Sequence, residues 1–320
     1  MRYLITGGAG FIGSHLTERL IAGGARVDVL DDMSTGCPEN LHGIASDPKL
    51  KVVVGDILDA RLVDKMAGEC DIIVHLAAAV GVRTIMEQPK RSLLTNVTGT
   101  EHVLESADQH KKRVIIASTS EVYGKATKLP FSEEDDLVLG ATANYRWSYA
   151  CAKALDEHLT LAYVRQSDLD GVIVRFFNTT GPRQSGRYGM VLPNFVESAL
   201  KNEPILVHGS GEQSRSFGHV KDVVEALDRL IKTESTRGEI FNVGNDEEVT
   251  ILRLAERIRQ MTGSRSEIKC IPYKDVYPEG FEDMKRRRPS VVKLEKFTGF
   301  RPRTSLDQII ADVIAEKRRA

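Results

Sequence analysis

The feature that most constrains this chain is the run Gly7-Gly8-Ala9-Gly10-Phe11-Ile12-Gly13, directly behind the apolar segment Tyr3-Leu4-Ile5-Thr6. Gly7, Gly10 and Gly13 stand three apart, between a short strand pattern and a helical one. A tight turn needs a residue free to take positive φ, and close approach of backbone to a ligand needs no Cβ. The helix that opens there presents free N–H groups and the positive end of its dipole, the surroundings a pyrophosphate requires. Strand, glycines, helix is the context that turns a glycine pattern into a dinucleotide cradle. Gly7, Gly10, Phe11, Ile12 and Gly13 are its predicted residues. Asp31 and Asp32 end the second strand, about 20 residues further on. A carboxylate there binds ribose hydroxyls and repels a 2′-phosphate, which predicts NAD rather than NADP.

The rest of the chain repeats the alternation. Strands are predicted at Tyr3–Thr6, Arg26–Leu30, Lys51–Val54, Ile72–Leu76, Val114–Ser118 and Val172–Phe176, with helices near Ser14–Gly23, Asn96–His110 and Tyr149–Arg165. Strands alternating with helices mean a parallel sheet with right-handed crossovers. Near-continuous apolar strands such as Val114-Ile115-Ile116-Ala117 fit a sheet covered on both faces. The predicted fold is α/β: a Rossmann-type doubly wound parallel sheet with a smaller α/β carboxy-terminal substrate-binding domain. After Phe176 the texture changes, with Gly, Pro and Arg clustered at 181–189 and 209–218. Gly238–Gly244 reads as a late strand returning to the sheet, and Ile251–Met261 and Ser305–Lys317 as closing helices. The expected division is residues 1–175, with a returning segment near 219–245, for the dinucleotide. Residues 176–218 and 246–320 are left for the substrate.

Composition narrows the function classes. With 44 basic against 45 acidic residues the net charge is −1, which argues against a chain that coats nucleic acid or an anionic membrane. No apolar run reaches the roughly 18 residues of a membrane span. The four cysteines are scattered without a CxxC pair, so neither a zinc site nor a disulfide framework is expected and a reducing compartment is. The N terminus runs straight into the glycine loop without a signal-like apolar segment, and a cytoplasmic location is the expectation.

Further candidates follow the strands. Asp56 and Ile57, after the third strand, are expected on the adenine side of the cofactor. Leu76, Ala77 and Ala78 end the fourth strand with small residues that leave it room. Tyr149 and Lys153 are four apart and share a helix face. An ammonium beside a phenol lowers its pKa, making Tyr149 a base for a hydroxyl proton as hydride leaves. Thr119 and Ser120 end the fifth strand with hydroxyls able to share that proton, and Glu121 follows them.

TGGAGFIGSHL at 6–16, LAA at 76–78, STSEVYG at 118–124, the Tyr149/Lys153 pair, Arg175-Phe176-Phe177-Asn178 and Gly181-Pro182-Arg183 together resemble one family over essentially the whole chain. It is the extended short-chain dehydrogenase/reductases of the nucleotide-sugar epimerase/dehydratase type. The resemblance implies tightly held NAD, oxidation of a sugar at C4 aided by Tyr149, and later return of the hydride. It also implies a nucleotide-diphosphate site in the carboxy-terminal domain. A homodimer is implied through helices 96–110 and 149–165, where Leu155, Leu159 and Ala162 suit an interface. A dinucleotide sensor of the same fold would be expected to lose Tyr149 or Lys153, and both stand.

Glu121 selects the branch. Dehydratases resembling this stretch carry Asp-Glu, whereas Ser120-Glu121 resembles the UDP-glucuronate decarboxylases. Arg286-Arg287-Arg288-Pro289-Ser290 resembles their Arg-Lys-Pro stretch, with Arg287 as the match, and a guanidinium fork suits a uronate carboxylate. Arg215, in Gln213–Phe217, is implied to clamp the pyrophosphate. Asn178 orients the substrate, Arg183 adds positive potential to the cleft, and Arg83, on the loop after LAA, lies toward the sugar. The implied reaction is C4 oxidation of UDP-glucuronate and decarboxylation to a UDP-pentose. Glu121 and Arg287 are the candidates for holding the carboxylate and reprotonating C5. A UDP-sugar 4-epimerase is the alternative, and a nucleotide-sugar dehydratase the third.

Overall fold

Seven apolar segments become one parallel sheet. Its strands are β1 (Arg2–Thr6), β2 (Arg26–Asp31), β3 (Leu50–Val54), β4 (Ile72–His75), β5 (Arg113–Thr119), β6 (Gly171–Phe176) and β7 (Ile240–Val243), in the spatial order β7-β6-β5-β4-β1-β2-β3. Every neighbouring pair is parallel. The computed structural model describes residues 1–81, 88–186, 189–277 and 282–319. The late strand predicted within 238–244 joins the edge of the sheet beside β6, Ile240 opposite Ile173.

The helices of this half are α1 (Phe11–Ala22), α2 (Ala60–Gly68), α3 (Pro89–Gln109) and α4 (Ser148–Ser167). α1 begins three residues earlier than its periodicity suggests, because Gly10 is its N-cap and the glycine loop feeds it directly. α3 begins seven residues before Asn96. Pro89 occupies its first turn, where a missing N–H costs nothing.

Strand side chains alternate between two cores, as a period of two requires. Leu4, Leu30, Ile73, Val114 and Ile116 pack against Val63 and Met66 of α2 and Val103, Leu104 and Ala107 of α3. Ile5, Val29, Val74, Ile115, Val172 and Val174 face the other way. There they meet Leu16 and Leu20 of α1 and Val220, Val223, Val224, Leu227 and Ile231 of a further helix, Val220–Lys232. Each such fully buried side chain contributes about 1.5–3 kcal/mol. That helix carries its apolar residues at spacings of three and four, which is why it seals the face so completely.

The later chain builds its own core. Helices Val191–Leu200, Ile251–Thr262 and Leu306–Lys317 and the strand Ile205–His208 meet around Phe195, Val196, Val207, Leu254, Ile258, Ile309, Ile310 and Val313. A smaller cluster, Val122, Tyr123, Phe131, Trp147, Phe177 and Met284, lies where the end of β5, the start of α4 and the later chain converge. Among the described residues no helix is long and apolar enough to cross a membrane. Strand order reverses between β1 and β4, so their carboxyl ends part and leave a crevice, the usual ligand position in such sheets. Thr6 and His75 lie side by side at its edge.

Candidate active site

The glycine cradle is closed to any other residue at two of its three positions. Gly7 has φ +71°, and a Cβ on it would stand 2.7 Å from the Ala77 nitrogen. A Cβ on Gly13 would stand 2.2 Å from the Gly7 carbonyl oxygen. Gly10 differs: its Cβ would meet only that same oxygen, at 3.1 Å, and is otherwise open. Among the described residues no side chain caps the α1 N terminus, and Phe11 and Ile12 open the helix with first-turn N–H groups that no described side chain takes. A bare helix N terminus under an open glycine face is what a dinucleotide pyrophosphate fits.

Asp31 and Asp32 divide the work at the end of β2. Asp31 is buried, and its two oxygens accept the N–H groups of Ala9 and Met33, each at 2.9 Å. Burial pushes its carboxyl above the usual range. It thus fastens the glycine loop from the end of β2, the position at which a carboxylate takes a ribose hydroxyl in such folds. Asp32 faces outward, takes the Ser34 N–H and hydroxyl at 2.9 and 2.6 Å, and stands 3.8 Å from Arg91. Asp56 accepts the Leu58 N–H at 2.9 Å in the turn after β3. The Ile57 side chain departs from expectation. It is 5% exposed and packs under Gly99 of α3 as core, because α3 lies over that turn. Leu76, Ala77 and Ala78 are half-buried after β4, and the Asn96 amide grips the next residue, Ala79, on both backbone groups. Arg83 lies outside the described residues.

α4 carries the Tyr149/Lys153 pair. A 3-10 turn, Tyr145–Trp147, leads into it. Trp147 wedges that turn in place, its indole N–H donating to Glu282 at 2.9 Å. The Tyr149 hydroxyl bonds Thr119, at the end of β5. Lys153 is 1% exposed, and its Nζ donates to Asp156 Oδ2 at 3.0 Å. From there a buried chain runs to β1. Thr100 Oγ1 is 3.1 Å from the same Asp156 oxygen and 3.1 Å from His75 Nε2, and His75 Nδ1 is 2.7 Å from the Thr6 hydroxyl. Burial, with Lys153 nearby, holds His75 down to about 3, so the ring is neutral.

One electrostatic expectation is reversed here. The Tyr149 phenol is pushed above its ordinary value, not lowered: burial comes first, then the Glu121 and Asp156 carboxylates. Asp156 compensates the Lys153 charge that was expected to act on the phenol alone.

The third part of the site is a buried network of alternating charge. Glu121 accepts from Arg146 Nη1 and lies 3.4 Å from Arg287 Nη1. Arg146 is 2% exposed and 3.8 Å from Asp283, which in turn accepts from Arg215 Nη2 at 2.7 Å. Two short strands set the geometry: Arg286–Arg287 pairs in parallel with Ser214–Ser216, Arg287 opposite Arg215. Despite its burial, Glu121 is held below the usual carboxylate range by Arg146 and Arg287. Burial and the neighbouring Arg215 guanidinium push Arg287 down to about 10. Among buried polar atoms, the Ser120 hydroxyl and the Nε groups of Arg146 and Arg287 have no partner among the described residues.

Two substrate candidates are otherwise engaged. Asn178 donates its amide to the Ser216 carbonyl at 3.1 Å. Arg183, at φ +69°, spends its guanidinium on Glu18 at 2.7 Å and Ser14 at 3.3 Å, so its charge is compensated against α1 rather than added to the network. Arg146, Asp156 and Asp283 carried no expected role. The first two had a signal: Arg146 is three residues before Tyr149 and Asp156 three after Lys153, the spacing of one helix face.

The comparisons with known proteins agree with this geometry. The model of the NAD dependent epimerase/dehydratase family matches residues 3–244. The chain is 43% identical to a UDP-N-acetyl-alpha-D-glucosaminuronate decarboxylase of Bacillus cytotoxicus, over 98% of this chain and 96% of that protein. It is 36% identical to UDP-glucuronic acid decarboxylase 2 of Arabidopsis thaliana, over 96% of this chain and 66% of that longer protein. Among solved structures it superposes with a TM-score of 0.90 on DesIV, a dTDP-glucose 4,6-dehydratase from Streptomyces venezuelae solved with NAD bound. That match is 30% identical and covers 100% of this chain and 97% of the other. With the cradle, the Tyr149/Lys153 pair and this likeness all in one chain, NAD is its cofactor, and the protein belongs to the NAD dependent epimerase/dehydratase family.

Proposed function

We propose that this enzyme oxidises a UDP-linked hexuronate at C4 and decarboxylates it to a UDP-pentose. UDP-glucuronate is the parent substrate. The 43% identical relative, named for a 2-acetamido uronate, makes that sugar the second substrate to test. The observation that carries the reading is Ser120-Glu121 beside Tyr149, with Glu121 bound between Arg146 and Arg287. A dehydratase-type Asp does not stand at position 120, and cationic side chains gather where a uronate carboxylate needs them.

NAD, held by the glycine loop and Asp31, supplies hydride acceptance from C4 and its return. Tyr149 takes the C4 hydroxyl proton, and Thr119 and Ser120 are the hydroxyls that steer it. Lys153 orients the ribose side of the site. A C4 ketone makes the substrate a β-keto acid: the C5–C6 bond breaks, its electron pair flows into the ketone as an enolate, and CO2 leaves. Arg287 holds the carboxylate out of the ketone plane. C5 then takes up one proton in place of the departed CO2, and Glu121 and Arg287 are the candidates for managing that transfer. Arg215 and Asn178 serve the diphosphate side. In this reading residues 1–175 with 219–245 serve the cofactor, and 176–218 with 246–320 the substrate. Four free cysteines suit the cytoplasm. A homodimer built on α3 and α4 accounts for Leu94 and Leu155 standing 46% and 45% exposed.

The test is incubation of the protein with NAD and either uronate, followed by mass spectrometry and proton NMR. Loss of the mass of CO2 to give a UDP-pentose, or its 2-acetamido counterpart, is expected. An isomer of unchanged mass means a uronate 4-epimerase, and conversion of neutral hexoses alone removes the carboxylate argument.

A further inference from the structure

In the buried network, three guanidinium groups, Arg146, Arg215 and Arg287, meet two carboxylates, Glu121 and Asp283. The pairing is uneven. Arg215 has Asp283 at 2.7 Å and the Ser214 carbonyl at 2.8 Å. Arg146 has Glu121 as its hydrogen-bonded partner and Asp283 at 3.8 Å. Among the described residues Arg287 is left with one long contact, 3.4 Å to Glu121, and an Nε with no partner. It lies in register beside Arg215, so it also has a like charge for a neighbour. The surplus cation of the network is therefore Arg287.

We propose that Arg146 is a specificity-determining positioning residue: by taking Glu121 for itself, it keeps Arg287 free to receive the carboxylate of an acidic sugar. This rests on the hexuronate reading above. Arg146 is 2% exposed and hydrogen-bonded to Glu121, so its influence is assigned through that carboxylate. The physics is competition for one carboxylate. A guanidinium cannot discharge itself by losing a proton, so a buried one must be paired. Glu121 already lies within reach of both arginines. Without Arg146, its closest available cation is Arg287, and the long contact would close into a direct pair. Arg287 would then be neutralised by the protein, and the substrate carboxylate would have to displace Glu121 to enter. The site would keep its arginine and lose its preference for acid over neutral sugars. Burial alone does not hold Glu121 ionised, since burial opposes ionisation. The neighbouring arginines do, Arg146 foremost.

The experiment is equilibrium binding of UDP-glucuronate and UDP-glucose by calorimetry to the protein loaded with NADH, which cannot accept the C4 hydride. It reads binding alone and does not depend on turnover. Wild type is expected to favour UDP-glucuronate. Arg146→Gln is expected to weaken UDP-glucuronate at least tenfold while UDP-glucose changes less than threefold. The decisive variant is Arg146→Gln with Glu121→Gln. With no carboxylate to capture Arg287, UDP-glucuronate affinity returns to within threefold of wild type, although a second polar group has been removed. If the double variant binds the uronate as weakly as Arg146→Gln alone, or if Arg146→Gln loses both ligands equally, the proposal is overturned. The double variant also limits misfolding, because it removes one positive and one negative charge together and leaves the net charge of the network as in wild type. Should Arg146→Gln not fold, Arg146→Lys keeps a cation for Glu121 and is expected to hold UDP-glucuronate affinity within threefold of wild type, and a tenfold loss there overturns the proposal. A wild type that does not distinguish the two sugars refutes the hexuronate reading instead, and is seen before any variant is made.

Discussion

At the scale of single residues the catalytic lysine is more constrained than its spacing from Tyr149 suggests. Lys153 is locked to Asp156 at 3.0 Å, and one oxygen of Asp156, Oδ1, has no partner among the described residues. The pair leaves an anionic edge toward Tyr149, and both Asp156 and Glu121 raise the phenol. Asp156→Asn keeps the shape and a hydrogen-bond acceptor but removes the charge. The phenol pKa then falls, its basic form is present at lower pH, and the rising limb of kcat/KM moves to lower pH. A pH–rate profile with the preferred uronate checks it, and a limb that stays in place or moves upward refutes the assignment. The other oxygen, Oδ2, holds Lys153 and also accepts from Thr100, and without the charge the buried Lys153 ammonium has no counter-ion, so a loss of stability of about 3–5 kcal/mol is expected alongside.

At the scale of elements the strand–glycine–helix unit separates folding from binding. In Gly13→Ala the new Cβ collides with backbone at Gly7, which has nowhere to go, so α1 must shift against β1. In Gly10→Ala the Cβ meets one oxygen at 3.1 Å and otherwise fills the open face of the cradle. Gly13→Ala is therefore expected to lower the melting temperature and lose NAD. Gly10→Ala is expected to melt within a few degrees of wild type yet retain at least tenfold less NAD. Thermal melts and the cofactor released on denaturation measure both. These elements were legible in the sequence because their causes are local: glycines with no room for a Cβ, alternating apolar runs, a helix face with Tyr149 and Lys153. What was not legible depends on partners from distant segments. Asp31 was expected to face a ribose, and part of its bonding capacity goes to Ala9 and Met33. Arg183 was expected in the cleft, but Glu18 lies closer. Arg146 stood in plain view three residues before Tyr149, yet only the return of the chain at 283–287 gives it Asp283 for a neighbour and Arg287 for a rival.

At the scale of the whole molecule two properties follow from what α3, α4 and the sheet bury. Leu94 and Leu155 are exposed on adjacent helices, so a dimer through that face predicts a wild type of twice the chain mass by light scattering. Leu155→Arg, harmless on an exposed surface, would give a monomer of unchanged melting temperature if the face is an interface. The second property is acid sensitivity. His75 is fully buried between Thr6 and Thr100, and burial holds it down to about 3. His15, His208 and His219 are lowered by burial too. Between the ordinary histidine value and the depressed one, the unfolded chain binds protons that the folded chain refuses. Stability therefore falls as pH drops through that window, by up to about 1.4 kcal/mol per pH unit for His75 alone. Asp31, Glu133 and Asp156, raised by burial, act oppositely, gaining protons earlier when folded, in the span just above the ordinary carboxylate value. Below the ordinary histidine value and above the carboxylates the histidines thus set the slope. His75→Gln removes the largest contributor while offering Thr6 and Thr100 a polar group in place of the ring. The variant is expected to be less stable than wild type at pH 7, since a ring-shaped space is left unfilled. Its further loss between pH 7 and pH 5 should be smaller than the wild-type loss by roughly 2 kcal/mol. Urea unfolding at the two pH values, with NAD held saturating, measures the difference of differences. Equal losses in the two proteins would mean that His75 keeps its proton when folded, and that the chain from Lys153 to Thr6 carries a charge at its far end.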